Sequence, residues 1–150
     1  MLRISKLADY STVIMVYLAK VKSLKNVTDI ALETRLSKPT VSKLVKRLVD
    51  SHLLLSELGA KGGYRLARLP EHISISHIIN AIEQRNGLTE CADRNSQCSL
   101  QFSCQISQHW QLIDKAVEGV LSHVTLFELI QPSSNLGIKP IIKHVKREIL

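Results

Sequence analysis

Apolar residues recur every three or four positions along the first half of the chain, which is the spacing of one buried helical face. The first run follows Ser5, a suitable helix cap, and predicts a helix that ends near Lys20. After a polar break, a shorter run predicts a second helix that Thr28 caps, with Ile30 and Ala31 facing inward. The chain is therefore expected to start as a helical domain.

The segment LSKPTVSKLVKRL predicts a third helix with two contrasting faces. Ser37 is a suitable N-cap, and Pro39 suits the first turn. The inner stripe has the spacing i, i+3, i+4, i+7 and consists of Val41, Leu44, Val45 and Leu48. The outer face consists of Lys38, Thr40, Ser42, Lys43, Lys46 and Arg47. Two short helices that meet at a tight turn, the second basic on its outer face, are typical of a helix-turn-helix.

A β-hairpin is predicted directly after this third helix. Residues 53–57 and 64–67 have the composition of short strands, and the GAKGG sequence between them supplies the glycines that a tight turn needs. Lys61 lies at the tip of this hairpin, and Arg65 follows close behind. A hairpin that follows a recognition helix indicates the wing of a winged helix-turn-helix.

Two further helices are predicted beyond the wing. One begins at Ser74 or Ser76 and ends near Arg85, and the other extends from about Gln105 to Ile130. The second carries a heptad-type apolar stripe, which consists of Ile106, Trp110, Ile113, Val117, Val120, Val124 and Phe127. Packing of this stripe on the domain core is the alternative, but a seam of this length and regularity favours self-association, so the segment is interpreted as a dimerisation helix.

The charge distribution indicates a polyanionic partner for the first half of the chain. The net charge is +7, and the basic excess lies in residues 1–69, whereas residues 70–130 are acidic. Together with the helix–turn–helix–hairpin order, this pattern predicts binding to double-stranded DNA, since lysine and arginine neutralise phosphates. The residues expected at the DNA are Lys38, Thr40, Ser42, Lys43, Lys46, Arg47, Lys61 and Arg65.

All three cysteines of the chain lie in one short polar segment, at Cys91, Cys98 and Cys104. The N-terminus lacks the apolar run of a signal peptide, which favours a cytoplasmic protein, where clustered thiols more often bind metal or react than form a disulfide framework. The wide spacing suits a loop around an iron–sulfur cluster; a zinc site, a thiol–disulfide switch and incidental cysteines are the alternatives. No histidine or aspartate stands where it would activate a thiol, so no enzymatic activity is expected.

A fourth ligand would complete the coordination that three cysteines leave open. The candidates are Asp9, Glu90, Ser107 and His109. His109 is five residues past Cys104 on the predicted helix, about 140° round it, and is therefore an awkward partner for that thiol. Asp9 is distant in sequence and could approach from a second subunit.

The sequences RISKLADY, LSKPTVSKLVKRL and GAKGGYRLAR, followed by the cysteine triad, resemble the Rrf2 family of bacterial winged-helix regulators. The IscR- and NsrR-like members are most similar, above all the branch that regulates SUF iron–sulfur assembly. The resemblance implies a homodimer joined by a long helix, a cluster held by Cys91, Cys98 and Cys104, and gene control that depends on cluster occupancy.

The chain departs from the family's pattern in the cysteine segment. Six residues rather than five separate the first two cysteines, and Ser107 replaces the histidine of IscR-like members. Asp9 resembles the N-terminal aspartate ligand of NsrR-like members. The expected cofactor is a [2Fe–2S] cluster, with [4Fe–4S] as the second choice.

The expected fold is mainly α with a small β-hairpin wing, which gives a winged helix-turn-helix DNA-binding domain plus a long dimerisation helix. The predicted divisions are the DNA-binding domain (1–84), the cluster-binding loop (85–104), the dimerisation helix (105–131) and a basic tail (132–150). The expected function is a cluster-sensing regulator, in the first place a repressor, of iron–sulfur assembly or stress genes. The alternative is a thiol-redox or zinc-dependent winged-helix repressor without a cluster.

Overall fold

The fold is mainly α with one hairpin, as the sequence predicts. The computed structural model describes residues 4–59, 61–83, 87–90, 92, 98–99 and 103–132. Its α-helices are α1 (Lys6–Val21), α2 (Val27–Thr34), α3 (Lys38–Asp50), α4 (Ile75–Glu83), α5 (Ser107–His123) and α6 (Leu126–Ile130). The strands are β1 (Leu54–Glu57) and β2 (Gly63–Leu66), and a 3₁₀ turn follows at Pro70–His72.

Side-chain caps set the beginnings of the first three helices. Ser5 accepts the amide of Ala8 at 3.2 Å, as predicted for α1. The predicted cap of α2 is wrong: the helix begins earlier, and Asn26 Oδ1, not Thr28, accepts the amide of Asp29 at 2.9 Å. Asparagine satisfies an orphan amide of the first turn better than threonine, which explains the earlier start.

The core lies between α1, α2, α3 and α4, and α6 closes one side of it. The predicted inner stripe of α3 is confirmed, since Val41, Leu44, Val45 and Leu48 are all fully buried. Ile30 and Ala31 of α2 also face the core, as predicted. This packing holds α3 by its apolar side and leaves its polar face exposed to solvent.

The hairpin is tied to the helical domain at its base. β1 and β2 pair antiparallel with Leu54 opposite Leu66 and Glu57 opposite Gly63. Tyr64 exchanges two backbone hydrogen bonds with Lys25, of 2.9 and 3.1 Å, so the loop between α1 and α2 adds a short third edge. The wing therefore stands in a fixed place beside α3.

The predicted continuous helix from Gln105 to Ile130 is wrong, because the helical conformation is interrupted at Val124. Val124 is extended, and Thr125 caps α6 with a reciprocal pair of bonds to Glu128. Two backbone bonds fix the break: Ile75 N donates to Val124 O at 2.9 Å, and Leu126 N donates to Ile73 O at 2.7 Å. The end of the predicted dimerisation segment therefore packs into the core of the first domain.

The α4 helix agrees with one of the two predicted starts. Ser74 Oγ accepts the amide of His77 at 3.2 Å, so Ser74 rather than Ser76 begins the helix. The predicted end near Arg85 lies outside the described residues. No helix within the described residues is long and apolar enough to cross a bilayer.

Candidate nucleic-acid interface and cysteine segment

The outer face of α3 carries a compact set of exposed polar side chains. Lys38, Ser42, Lys43 and Lys46 are all exposed. At about 100° per residue they lie within an arc of about 140°, opposite the buried stripe. No acidic residue stands in the first turn, so the positive end of the helix dipole adds to the lysine charges. This face offers a phosphate several donors at once.

Two predicted members of this face, Thr40 and Arg47, are only half exposed because they flank the buried stripe. The hydroxyl of Thr40 lies 2.8 Å from Ser37 Oγ and belongs to the helix cap. Arg47 donates from Nη1 to the carbonyl oxygen of Ile82 at 2.9 Å. Both side chains therefore make contacts within the fold, unlike the four exposed ones.

The wing presents Lys61 at its tip, where the side chain is exposed. Gly59 has φ +114°, which an L side chain rarely adopts, and Gly62 N donates to Gly59 O at 2.9 Å to close the turn. Arg65 is exposed but pairs with Glu57 across the hairpin at 2.8 Å. An exposed pair of this kind adds little stability, so it does not prevent Arg65 from exchanging Glu57 for a phosphate.

Tyr17 on α1 is the one described group with a clear shift of its pKa. Burial raises the pKa of its phenol, and the negative charges of Glu33 and Asp29 on α2 act in the same direction. The phenol therefore stays protonated at neutral pH.

The structure describes two of the three cysteines. Cys98 and Cys104 are half-buried, and the carbonyl oxygen of Cys104 accepts the amide of Ser107 at 3.3 Å where α5 begins. Cys91 lies outside the described residues. The first residue of α5 is thus bonded to the backbone of the last cysteine.

The predicted fourth ligands occupy different parts of the described chain. Asp9 is exposed in the first turn of α1, Glu90 is exposed ahead of the cysteines, and His109 is exposed on α5, whereas Ser107 is buried. Within the described residues, no three histidine, cysteine or acidic side chains come close enough to hold a metal ion. The structure therefore selects none of these candidates.

The chemistry near the segment is compatible with a thiolate-bound group. Two half-buried thiols provide the soft ligands that an iron–sulfur cluster or zinc takes. At the end of α4, the buried Glu83 Oε1 has no hydrogen-bond partner among the described residues. A buried acceptor of this kind ordinarily has a donor or a cation as its partner.

Sequence reasoning missed Asp114, which anchors the entry to the cysteine segment. Its Oδ1 accepts the amide of Leu88 at 2.7 Å, and Leu88 stands three residues before Cys91. The sequence offered a weak signal, an acid beside the apolar stripe of α5. The bond ties this loop to the middle of α5.

Comparison with known proteins decides the family. The profile of the Rrf2 family, described as an iron-dependent transcriptional regulator, matches residues 4–132. The chain belongs to the Rrf2 family. It is a transcriptional regulator with a DNA-binding winged-helix fold, and its relatives are named as regulators rather than enzymes, in agreement with the prediction.

Three similar proteins illustrate the range of this family. The regulator NsrR of Shouchella clausii is 29% identical over 141 residues, which are 90% of this chain and 93% of that protein. The structure of CymR, the global cysteine regulator of B. subtilis, is 29% identical, with a TM-score of 0.69, and covers 87% of this chain and 97% of its own. T. potens IscR is 28% identical, with a TM-score of 0.66 and 86% coverage of both chains.

Proposed function

We propose that this Rrf2 member is an iron–sulfur-dependent repressor that binds promoter DNA as a homodimer. The observation that carries the proposal is one chain with a basic, exposed α3 face and three clustered cysteines. The family description as iron-dependent and the similarity to NsrR and IscR support the same function. Genes of iron–sulfur assembly, including a SUF-type operon, or of stress responses are the expected targets.

The exposed face of α3 supports the proposed DNA contacts. A helix about 10 Å wide enters the major groove, where Lys38, Lys43 and Lys46 would neutralise phosphates and Ser42 would reach base edges. Lys61 at the wing tip would reach the flanking minor groove, with Arg65 behind it. Thr40 stands at the rim of this face. Lysines position more than they specify, so the sequence preference would rest on few side chains.

The apolar face that α5 leaves uncovered in one chain supports the proposed homodimer. Ile106, Trp110 and Ile113 are 56%, 37% and 45% exposed, which is unusual for a stripe of this regularity. Pairing of two such stripes would bury them and hold two α3 helices apart. The operator would then be partly palindromic, with half-sites about 34 Å apart or a multiple of it.

The cysteine segment would hold the cofactor through Cys91, Cys98 and Cys104, with a fourth ligand from Asp9, His109, Glu90 or Ser107. A cluster bound there, [2Fe–2S] in the first place or [4Fe–4S], supplies a redox-active centre sensitive to iron and sulfide supply. Ser107 is buried beside Cys104, and Asp9 would have to come from elsewhere in the dimer. Ligation of the thiols would hold the segment in one arrangement relative to α5.

The test compares the wild type with a triple variant, Cys91→Ser, Cys98→Ser and Cys104→Ser, which contains no cysteine. After anaerobic reconstitution with iron and sulfide, only the wild type should gain visible absorbance and bound iron. Its affinity for the promoter upstream of its own gene should then differ between loaded and empty protein. Ser99→Ala is the matched control, since Ser99 is an exposed hydroxyl in the same segment.

The proposal fails if reconstituted wild type stays colourless and binds the same DNA equally well with and without the treatment. Single replacements, Asp9→Ala and His109→Ala, then assign the fourth ligand in the loaded protein. The variant that lacks the true ligand should load less iron and lose its cluster sooner.

A second candidate is a thiol-redox or zinc-dependent repressor on the same fold. The similarity to the structure of CymR, the global cysteine regulator of B. subtilis, favours this candidate. It predicts a colourless protein with bound zinc, or a loss of two hydrogen atoms from the mass on oxidation. Elemental analysis and mass spectrometry of freshly purified protein separate the two candidates.

A further inference from the structure

Arg47 satisfies a buried carbonyl at the end of a neighbouring helix. Its Nη1 donates to Ile82 O at 2.9 Å, and Ile82 is the second-to-last residue of α4 and only 3% exposed. The last four carbonyls of a helix have no partner within it, and a buried one cannot turn to water. A guanidinium also interacts favourably with the negative end of the helix dipole. Arg47 therefore acts as a side-chain cap of α4.

The end of α4 is also one end of the cysteine segment. The described part of α4 ends at Glu83, and in the next described residues, 87–90, Leu88 N donates to Asp114 Oδ1 of α5 at 2.7 Å. Cys91 follows three residues later. The bond between Arg47 and Ile82 thus joins the recognition helix α3 to the end of the helix that precedes the thiol-bearing segment in the chain.

Arg47 is placed differently from its lysine neighbour on the same helix. Lys46 is exposed, whereas Arg47 is half-buried and about 100° further round α3. A side chain that donates to Ile82 is not presented to a phosphate in the way that Lys46 is. The sequence predicted that both residues contact DNA, but their different placement indicates different roles, a phosphate contact for Lys46 and an internal contact for Arg47.

We propose that Arg47 is a positioning residue that fixes α3 to the end of α4, so that the state of the cysteine segment changes how Lys43 and Lys46 meet DNA. The inference rests on the proposed function in one respect, that the state of the thiols controls DNA binding. In this role Arg47 contributes to regulation rather than to a direct phosphate contact.

The experiment compares Arg47→Met with Lys46→Met. Both substitutions remove one positive charge, keep an unbranched side chain and lie next to each other on α3. Promoter-DNA affinity is measured by fluorescence anisotropy over a range of salt concentrations. Loss of a phosphate contact lowers the slope of log K against log salt by about 0.9, which is expected for Lys46→Met. For Arg47→Met we expect an unchanged slope.

The second readout is the ratio of DNA affinities with the thiols ligated and unligated, prepared by the same reconstitution. A coupled pair of sites typically gives a ratio of about 5–150, and Arg47→Met should bring it towards one. Lys46→Met should weaken both states equally and keep the ratio. Amide hydrogen exchange in the last turn of α4 should become faster only in Arg47→Met. Unchanged exchange in the other helices verifies that the rest of the domain stays folded.

The outcomes separate this inference from the proposed function. A wild-type ratio of one refutes thiol control, while an unchanged slope with faster exchange in Arg47→Met still supports the positioning role. The inference is overturned if Arg47→Met lowers the slope as much as Lys46→Met does. It is also overturned if the exchange of α4 stays as in the wild type.

Discussion

Gly63 shows how one missing side chain fixes the wing. A Cβ at this position would lie 2.7 Å from the backbone carbonyl carbon of Lys25, closer than real Cβ contacts come. The two backbone bonds between Tyr64 and Lys25 depend on this approach. Only glycine lets the base of the hairpin lie against the loop between α1 and α2.

Gly63→Ala should therefore destabilise the domain by about 1–3 kcal/mol, since the added methyl group forces backbone to move. Urea denaturation followed by circular dichroism measures the change. Gly119→Ala is the matched control, because nothing lies within 4 Å of a Cβ there and the residue is inside α5. It should raise stability by up to about 1 kcal/mol through helix propensity. Equal effects of both substitutions would contradict the close approach at Gly63.

At the residue scale the sequence predicts faces better than individual contacts. The inner stripe of α3 follows from spacing alone, because four apolar residues on one helical face have to be buried together. The partner of Arg47 did not follow, since its bond to Ile82 joins residues 35 positions apart that only the fold brings together. Thr28 was a plausible cap of α2, but the helix begins earlier because Asn26 caps it instead.

At the element scale the main difference from the sequence prediction is the break between α5 and α6. The heptad spacing continues across Val124, so periodicity predicted one helix. A signal against it was present, since Thr125 and Glu128 have the spacing of a capping box. Backbone bonds from Val124 to Ile75 and from Leu126 to Ile73 make the break necessary, and these depend on tertiary packing that a local pattern does not contain.

Thr125→Val should loosen α6, because valine keeps the branched shape but cannot accept the amide of Glu128. Loss of such a cap costs about 1 kcal/mol, and here it also weakens the anchoring of the buried Leu126. Chemical denaturation measures the loss. Thr28→Val is the matched control, since Thr28 is exposed and does not cap α2. A control as costly as Thr125→Val would contradict the assignment of Asn26 as the cap of α2.

At the scale of the whole molecule, the single chain buries the core between its other helices but leaves the apolar stripe of α5 exposed to solvent. The helices α1 to α4 and α6 share one core, whereas α5 buries only Ser107 among its residues. A helix with this little burial is marginal in isolation. Two copies that pair along α5 would stabilise both helices and set the distance between their α3 helices, so the proposed dimer would link the oligomeric state to the DNA site.

Ile113→Glu tests this link at the centre of the stripe. The side chain is 45% exposed in one chain, so the substitution should be tolerated in a monomer and should prevent pairing, since an unpaired carboxylate in an apolar interface is costly. Light scattering should show a shift from dimer to monomer. Affinity for the full palindromic site should fall towards that for a half-site, while the salt slope per subunit stays the same.

Leu112→Glu separates a specific interface from a general effect of the added charge. Leu112 is 57% exposed and lies about 100° from Ile113 on α5, away from the stripe. It should remain dimeric and bind the full site as the wild type does. If both variants become monomeric, a broader surface than the stripe holds the subunits together. If neither does, α5 is not the interface, and the spacing of half-sites has to be set by another part of the chain.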